Sequence, residues 1–252
     1  MNIYGDNGNI ICLRERCLWR KISVKVDQIT IGQKINPDKY DFYFFGGGQD
    51  QQQITVSEDL KRANAKFLKK AVEGKAVIFA ICGGYQLLGH YYQPDRGKTL
   101  FGVGLLDVIT VAGKKRMIGN IVIEVDSSLF MVHSKDKKEE KTTDYRLPTT
   151  DYLVGFENHS GKTYLGKNAK PLGKVLKGFG NNGKDKTEGA YNKTVFGCYL
   201  HGSVLPKNPH FTDHLITKAL ARRYQNVRLE PLNDDLEWQA HKSAVERTRS
   251  RT

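Results

Sequence analysis

The chain has 252 residues, 39% of them hydrophobic, and 40 Lys and Arg against 27 Asp and Glu, for a formal net charge of +13. No apolar run approaches the roughly 18 residues that a membrane-spanning helix needs. The start MNIYGDNGNI lacks a signal peptide's basic flank and apolar core, and four scattered cysteines are too few for a disulfide framework. A cytoplasmic α/β protein with reduced thiols is expected. The lysines are spread along the chain, which favours a solvated basic surface over a nucleic-acid site and leaves an acidic partner or an anionic membrane open.

In chain order, residues 1–4 suit a short strand and Gly5-Asp6-Asn7-Gly8 a turn. Apolar spacing predicts a helix over 9–20, and alternation predicts a strand over Ser23–Ile29. Tyr40–Phe45 is a continuous aromatic run, expected as a strand buried on both faces and ending at Gly46-Gly47-Gly48. Ser57 is placed to cap a helix through about Val72, with Glu58 and Asp59 in its first turn. Ala76–Ile81 is a second buried strand, and Gly83–Tyr92 a further helix. This alternation predicts a mostly parallel central sheet with helices on both faces.

The second half is richer in strands, expected at Gly119–Val125, Lys162–Leu165, Lys174–Leu176 and Thr194–Leu200, with a helix over Thr212–Tyr224. The polar segment Ser134–Arg146 lies in an exposed insertion spanning about 127–150. The expected division is one domain over 1–225 and a tail over 226–252, helical around Asp234–Val245.

One stretch carries chemistry. Ala80-Ile81-Cys82-Gly83-Gly84 has the small-x-nucleophile-x-small form of a nucleophile elbow, with VIFAI before it and YQLLGHYY after it. A helix N-terminus there is expected to favour the thiolate of Cys82. The Gly83 N–H would face a developing oxyanion. FFGGGQD, residues 44–50, ends the preceding strand at the same sheet edge, where its glycines can turn N–H groups toward a substrate carbonyl. The bland alternative is a buried cysteine at a tight turn.

The elbow, with Gln86 four residues after the cysteine, resembles that of class I glutamine amidotransferases. These hydrolyse the glutamine side-chain amide and deliver ammonia to a synthetase. The chain is most similar to their cobyric-acid-synthase-like branch, and within it to GatD-type glutaminase subunits of lipid II isoglutaminyl synthase. The pieces that carry the resemblance are NIYGDNGNI, FFGGGQD, ICGGYQLLG, RMIGNIVIE at 116–124, GFENHSGKTYL at 155–165, GNNGKDKTEG at 180–189 and GCYLHGSVLPKNP at 197–209.

The resemblance implies that Cys82 attacks L-glutamine and that His201 is its base, with His159 the main rival among seven histidines. His90, His133, His210, His214 and His241 are expected on the surface or in packing. Gly48 and Gly83 are the oxyanion-hole candidates. Arg116 suits a grip on the substrate carboxylate, while Gln86 and Gln49 either touch substrate or serve the elbow and loop. Class I members carry a carboxylate two residues after the histidine; here that position is Ser203. The resemblance implies that a Mur-ligase-like, ATP-dependent synthetase, the partner in a heterodimer, fills the gap. Glu157, Glu188 or a simple dyad are the internal alternatives.

Two near-matches to a phosphate-binding loop, at 161–167 and 178–184, lack the closing Ser/Thr, so ATP binding by this chain is not expected. Cys12, Cys17, Cys198 and His201 have poor spacing for zinc. No metal or cofactor is expected.

Overall fold

A computed structural model describes residues 6–48, 50–132, 145–146 and 151–249. The expected strand at 1–4, Gln49, His133, nearly all of the polar segment 134–146 and the last three residues lie outside these. The elements begin with α1 (Asn7–Leu18), β1 (Phe42–Phe45), α2 (Asp50–Asp59), a π-helical turn (Leu60–Asn64), α3 (Ala65–Glu73), β2 (Val77–Ile81) and α4 (Gly83–Leu88). There follow β3 (Tyr91–Gln93), β4 (Leu100–Phe101), β5 (Val108–Glu124), β6 (Met131–Val132), β7 (Tyr145–Arg146) and β8 (Tyr152–Leu165). The chain continues through β9 (Gly173–Lys177), β10 (Thr187–Glu188), β11 (Ala190–Asn192), β12 (Val195–Cys198), α5 (Pro209–Leu220) and α6 (Asp235–Arg249).

Strand β2 is apolar and buried at every position, as a central strand requires. Burying each of its Val, Ile and Phe side chains stabilises the fold by about 1.5–3 kcal/mol. It pairs in parallel with β1 on one side and β12 on the other, and β11 adds antiparallel to β12. Phe196 meets Phe211 of α5, while the next residue, Gly197, faces the ring of Tyr85 on α4. Successive strand residues point to opposite faces, so α4 and α5 cover opposite sides, as expected of a layered α/β fold.

The parallel arrangement stops there. A second, largely antiparallel sheet has the order β10-β9-β5-β3-β4, with β8 paired to β5. The β5–β8 register runs from Val108↔Leu165 to Ala112↔Gly161, then resumes at Met117↔His159. Gly113–Arg116 is therefore looped out of the ladder, which brings Arg116 out of a strand the sequence suggested only from residue 119.

Other expectations change as well. Residues 23–29 make no strand; Ile22 and Val24 instead pack on Cys17, Ile216 and Leu229. Among the described residues β1 is an edge strand, half-buried except at Tyr43. Ser57 is no cap: helix begins at Asp50, and the Ser57 hydroxyl donates to Phe101 O at 2.8 Å. Helix α4 ends at Leu88, where Gly89 turns to an extended backbone and packs so closely on β5 that a Cβ would come within 2.7 Å of Val108 O. Tyr91 onward then turns into β3. Of the expected insertion, the described part is a 3-10 turn at Ser127–Phe130 and the β6–β7 pair.

The C-terminal segment is docked. Val245 packs on Val122 and Val154, and Trp238 stacks on His210. Arg16 of α1 is buried and donates to both Asp213 of α5 and Asp234.

Candidate active site

Cys82 stands directly after β2 at φ 51°, ψ −110°. A non-glycine residue at positive φ outside the left-handed helical well costs of order 1–3 kcal/mol and persists only where its surroundings enforce it. Three contacts enforce it here. Cys82 N donates to Cys198 O at 2.9 Å, Gln86 N donates to Cys82 O at 2.9 Å, and Gly84 packs so closely on Phe45 and Gly46 that a Cβ would lie 2.7 Å from Phe45 O. The glycines of the elbow are thus required by close approach of the β1 end.

Burial pushes the Cys82 thiol up to about 12, against the opposing Gly83 N–H beside it. The expectation that the helix N-terminus favours thiolate therefore gives way: α4 is six residues long, and desolvation of the sulfur dominates. A thiol so placed can act as a nucleophile only where a base takes its proton. Arg116 and Asp6 are among the charges that act on the thiol, with opposite signs.

The β2–β12 register, Ile81↔Cys198, sets Cys82 and His201 beyond the ends of neighbouring parallel strands. His201 is wholly buried and exchanges backbone bonds with Phe156 of β8, 2.7 Å from its N and 3.2 Å to its O. Its Nδ1 lies 3.7 Å from Oδ1 of Asp6. Asp6 Oδ2 accepts the Gly47 N–H at 2.5 Å. Asp6 escaped the sequence reading, which took it as a turn residue. The internal acids weighed there accept from backbone N–H groups: Glu157 from Phe179 N and Gly180 N at 2.7 and 2.9 Å, and Glu188 from Tyr199 N, while the Glu188 charge also acts on the Cys82 thiol.

Gly48 and Gly83 are brought together, since a Cβ on Gly83 would lie 3.0 Å from Gly48 O. Gln86 is buried beneath them. Its Oε1 accepts from Gln53 Nε2 at 3.0 Å and its Nε2 donates to the Tyr199 hydroxyl at 3.0 Å. Gln53 also donates to Gly48 O at 3.1 Å. Gln86 is thus linked through Gln53 to the glycine loop. Gln49 lies outside the described residues. Arg116 Nε donates to Asn158 Oδ1 at 2.5 Å.

His159 stacks on Tyr199 with ring centroids 3.5 Å apart, and its Nδ1 lies 2.8 Å from Gly161 O. His90 pairs with Asp107 on the surface, while His210, His214 and His241 form an aromatic cluster with Phe130 and Trp238. Neither near-match to a phosphate loop precedes a helix. Cys12 contacts Thr212, Cys17 packs with Ile216 and Leu229, and Cys198 is buried in β12. No helix among the described residues is long and apolar enough to cross a membrane.

Residues 1–209 match the CobB/CobQ-like glutamine amidotransferase domain. The chain is 38% identical over 247 residues to the subunit GatD of lipid II isoglutaminyl synthase (glutamine-hydrolyzing) from Staphylococcus aureus strain N315, covering 98% of this chain and 91% of that protein. It is 38% identical over 238 residues to the GatD subunit from Streptococcus pneumoniae strain R6, covering 94% and 83%. A cobyric acid synthase from Clostridium botulinum is 32% identical over 193 residues, but only 33% of that longer protein is covered. Among solved structures, a glutamine amidotransferase superposes with a TM-score of 0.54 at 13% identity, over 83% of this chain and 93% of that one, a likeness of fold.

Proposed function

The chain belongs to the CobB/CobQ-like glutamine amidotransferase family, and on that premise we propose that it is the glutaminase subunit of a lipid II isoglutaminyl synthase. The observation that carries this reading is the strained backbone at Cys82, directly after β2, with a buried histidine just beyond the end of the neighbouring parallel strand. Likeness to two GatD subunits over nearly the whole chain supports the acceptor pathway.

The chemistry follows from the residues. Arg116 holds the glutamine α-carboxylate. The Cys82 sulfur attacks the side-chain amide carbon and forms an S–C bond while His201 takes the thiol proton. N–H groups of Gly48 and Gly83 receive the oxyanion. His201 passes its proton to the leaving nitrogen, the C–N bond breaks, and ammonia departs from a thioester. Water then attacks that carbon, the S–C bond breaks, and the water proton returns to the sulfur through His201. The products are glutamate, ammonia and the original thiol.

The ammonia goes to a Mur-ligase-like, ATP-using partner in a heterodimer, which amidates the α-carboxyl of D-glutamate in the lipid II stem peptide. That acceptor sits at the inner membrane face, where a net charge of +13 is favourable. Likeness to cobyric acid synthase supports a second acceptor class, a cobyrinate-like carboxylate.

The test is co-purification with the synthetase followed by glutamine-dependent amidation of lipid II, read by mass spectrometry. Amidation that disappears with Cys82→Ala, while the complex still forms, is the expected result. Amidation that survives Cys82→Ala with glutamine as the sole nitrogen source sinks the glutaminase mechanism. Amidation of a cobyrinate-like acceptor alone reassigns the pathway.

A further inference from the structure

We propose that Asn158 is a positioning residue that fixes the guanidinium of Arg116, so that the glutamine α-carboxylate is gripped along the Nη1–Nη2 edge. The proposal rests on the glutaminase reading above and deepens it. Arg116 closes the segment Gly113–Arg116, four residues set against Ser160 alone between the pairs Ala112↔Gly161 and Met117↔His159. Such a bulge re-aims the side chains it carries. Lys114, Lys115 and Arg116 are all exposed there. A long exposed side chain loses rotamer freedom when it binds, and an acceptor that holds it beforehand lowers that cost.

Asn158 is such an acceptor. Its Oδ1 accepts the Arg116 Nε–H at 2.5 Å, and the residue is buried on β8, paired with Ile118. Both of its neighbours in the strand are fixed. Glu157 is wholly buried and accepts from Phe179 N and Gly180 N, and His159 stacks on Tyr199. A buried, anchored strand therefore presents one oxygen to a side chain on an exposed bulge. The acceptor is also neutral. An aspartate there would neutralise the guanidinium and repel the substrate anion, whereas an amide orients the cation and keeps its full charge. That charge reaches the reacting centre: burial raises the Cys82 thiol, and Arg116 is among the influences that oppose it.

The same chain shows what each edge of an arginine fork can hold. Arg16 takes Asp213 along its Nε–Nη2 edge, both bonds at 2.7 Å, and Asp234 along its Nη1–Nη2 edge at 2.5 and 2.8 Å. Each edge receives one carboxylate bidentately. At Arg116 the Asn158 oxygen stands at Nε, so a bidentate carboxylate takes the Nη1–Nη2 edge. The grip lies away from the amide that reacts and acts alike on bound substrate and transition state. Its loss therefore raises KM and leaves kcat nearly unchanged. Asn158 itself does not touch substrate.

The experiment uses the full chain co-purified with its synthetase and reads ammonia release. Asn158→Ala is expected to raise KM for L-glutamine about 10-fold, the loss of one charge-assisted hydrogen bond, with kcat within about threefold of wild type. The α-methyl ester of L-glutamine lacks the carboxylate charge, so its kcat/KM should be the same in both. Arg116→Met has no Nε–H, so adding Asn158→Ala to it should change KM by less than about twofold. Unchanged KM in a folded Asn158→Ala, an equal loss with the ester, or an undiminished effect in the Arg116→Met background overturns the proposal. If Asn158→Ala does not fold, the wild-type complex decides. In ¹H–¹⁵N correlation of arginine Nε–H groups, assigned with Arg116→Met, the Arg116 signal should be protected from solvent exchange; exchange as fast as in free arginine overturns the proposal. A wild-type complex that releases no ammonia from glutamine sinks the enzyme assignment and this proposal with it. An active wild type matched by Asn158→Ala at every glutamine concentration sinks the role of Asn158 alone.

Discussion

Gly84→Ala isolates what the elbow glycines do. Gly84 lies in the first turn of α4 without positive φ, so alanine meets no backbone penalty there and gains up to about 1 kcal/mol of helix propensity. Space decides the sign. The new Cβ would lie 2.7 Å from Phe45 O, 2.8 Å from Phe45 Cβ and 3.0 Å from Gly46 O. The first of these is about 0.7 Å short of ordinary contact, and it is backbone, which cannot rotate away. Overpacking of this kind costs about 1–3 kcal/mol, leaving a net loss of up to about 2 kcal/mol once the propensity gain is subtracted. For a chain of this size that lowers Tm by up to about 8 °C. The displaced atoms lead into the Gly46–Gly48 loop. If a 1 Å misplacement costs about 10²-fold in rate, a shift of about 0.7 Å costs on the order of 10-fold or more in glutamine turnover. Thermal melting and ammonia release are measured beside Gly74→Ala, whose Cβ finds its nearest neighbour at an ordinary 3.4 Å. Gly84→Ala melting at or above wild type with undiminished turnover would refute the steric account of the elbow.

Three further outcomes are expected. Arg116→Lys keeps the charge but loses the planar fork, so KM for glutamine should rise about 10-fold or more with a smaller change in kcat, in steady-state ammonia release. Burial, with the Lys218 charge adding to it, holds the His214 imidazole down to about 3. The unfolded chain therefore binds a proton between about pH 6.5 and 3 that the folded chain does not, and stability from this group falls as pH drops through that window. In His214→Phe the slope of unfolding free energy against pH, from urea melts at pH 4–6.5, should fall by about one proton. Arg16→Met leaves the nearby Asp234 without its cation and Asp213 with Arg20 alone, and should cost about 3 kcal/mol in urea unfolding, the low end for a broken buried pair; Asp234→Asn added to it should recover part of that.

The elbow was legible because its signals are local: an all-apolar strand, a cysteine and two glycines in eight residues. His201 was legible through the resemblance, which places the base in GCYLHG at the end of a strand. Asp6 was not legible, because GDNG serves equally well as a turn, and only the packing of α1 against the 201–205 loop turns its carboxylate toward the histidine. Gln53 was hidden for a similar reason. Helix start signals at Ser57 outweighed the polar run Asp50-Gln51-Gln52-Gln53, and contact with Gly48 and Gln86 keeps that run helical. YQLLGHYY has the apolar content of either a helix or a strand, and Gly89 divides it only because β5 crosses there. The antiparallel second sheet escaped because β5 and β8 alternate weakly around their looped-out residues, so only short stretches of them stood out as strands.

The ion cluster at Arg16 bears on how the chain is made. Its cation emerges from the ribosome early, but Asp213 and Asp234 follow some two hundred residues later. At about 5–20 residues per second, that interval is on the order of 10–40 s. Through it the first helix has an unneutralised guanidinium and nothing to close over it, while β2 still waits for β12. The nascent chain is therefore barred from a settled N-terminal half. Final docking of α1 therefore waits until Asp213 and Asp234 have both emerged.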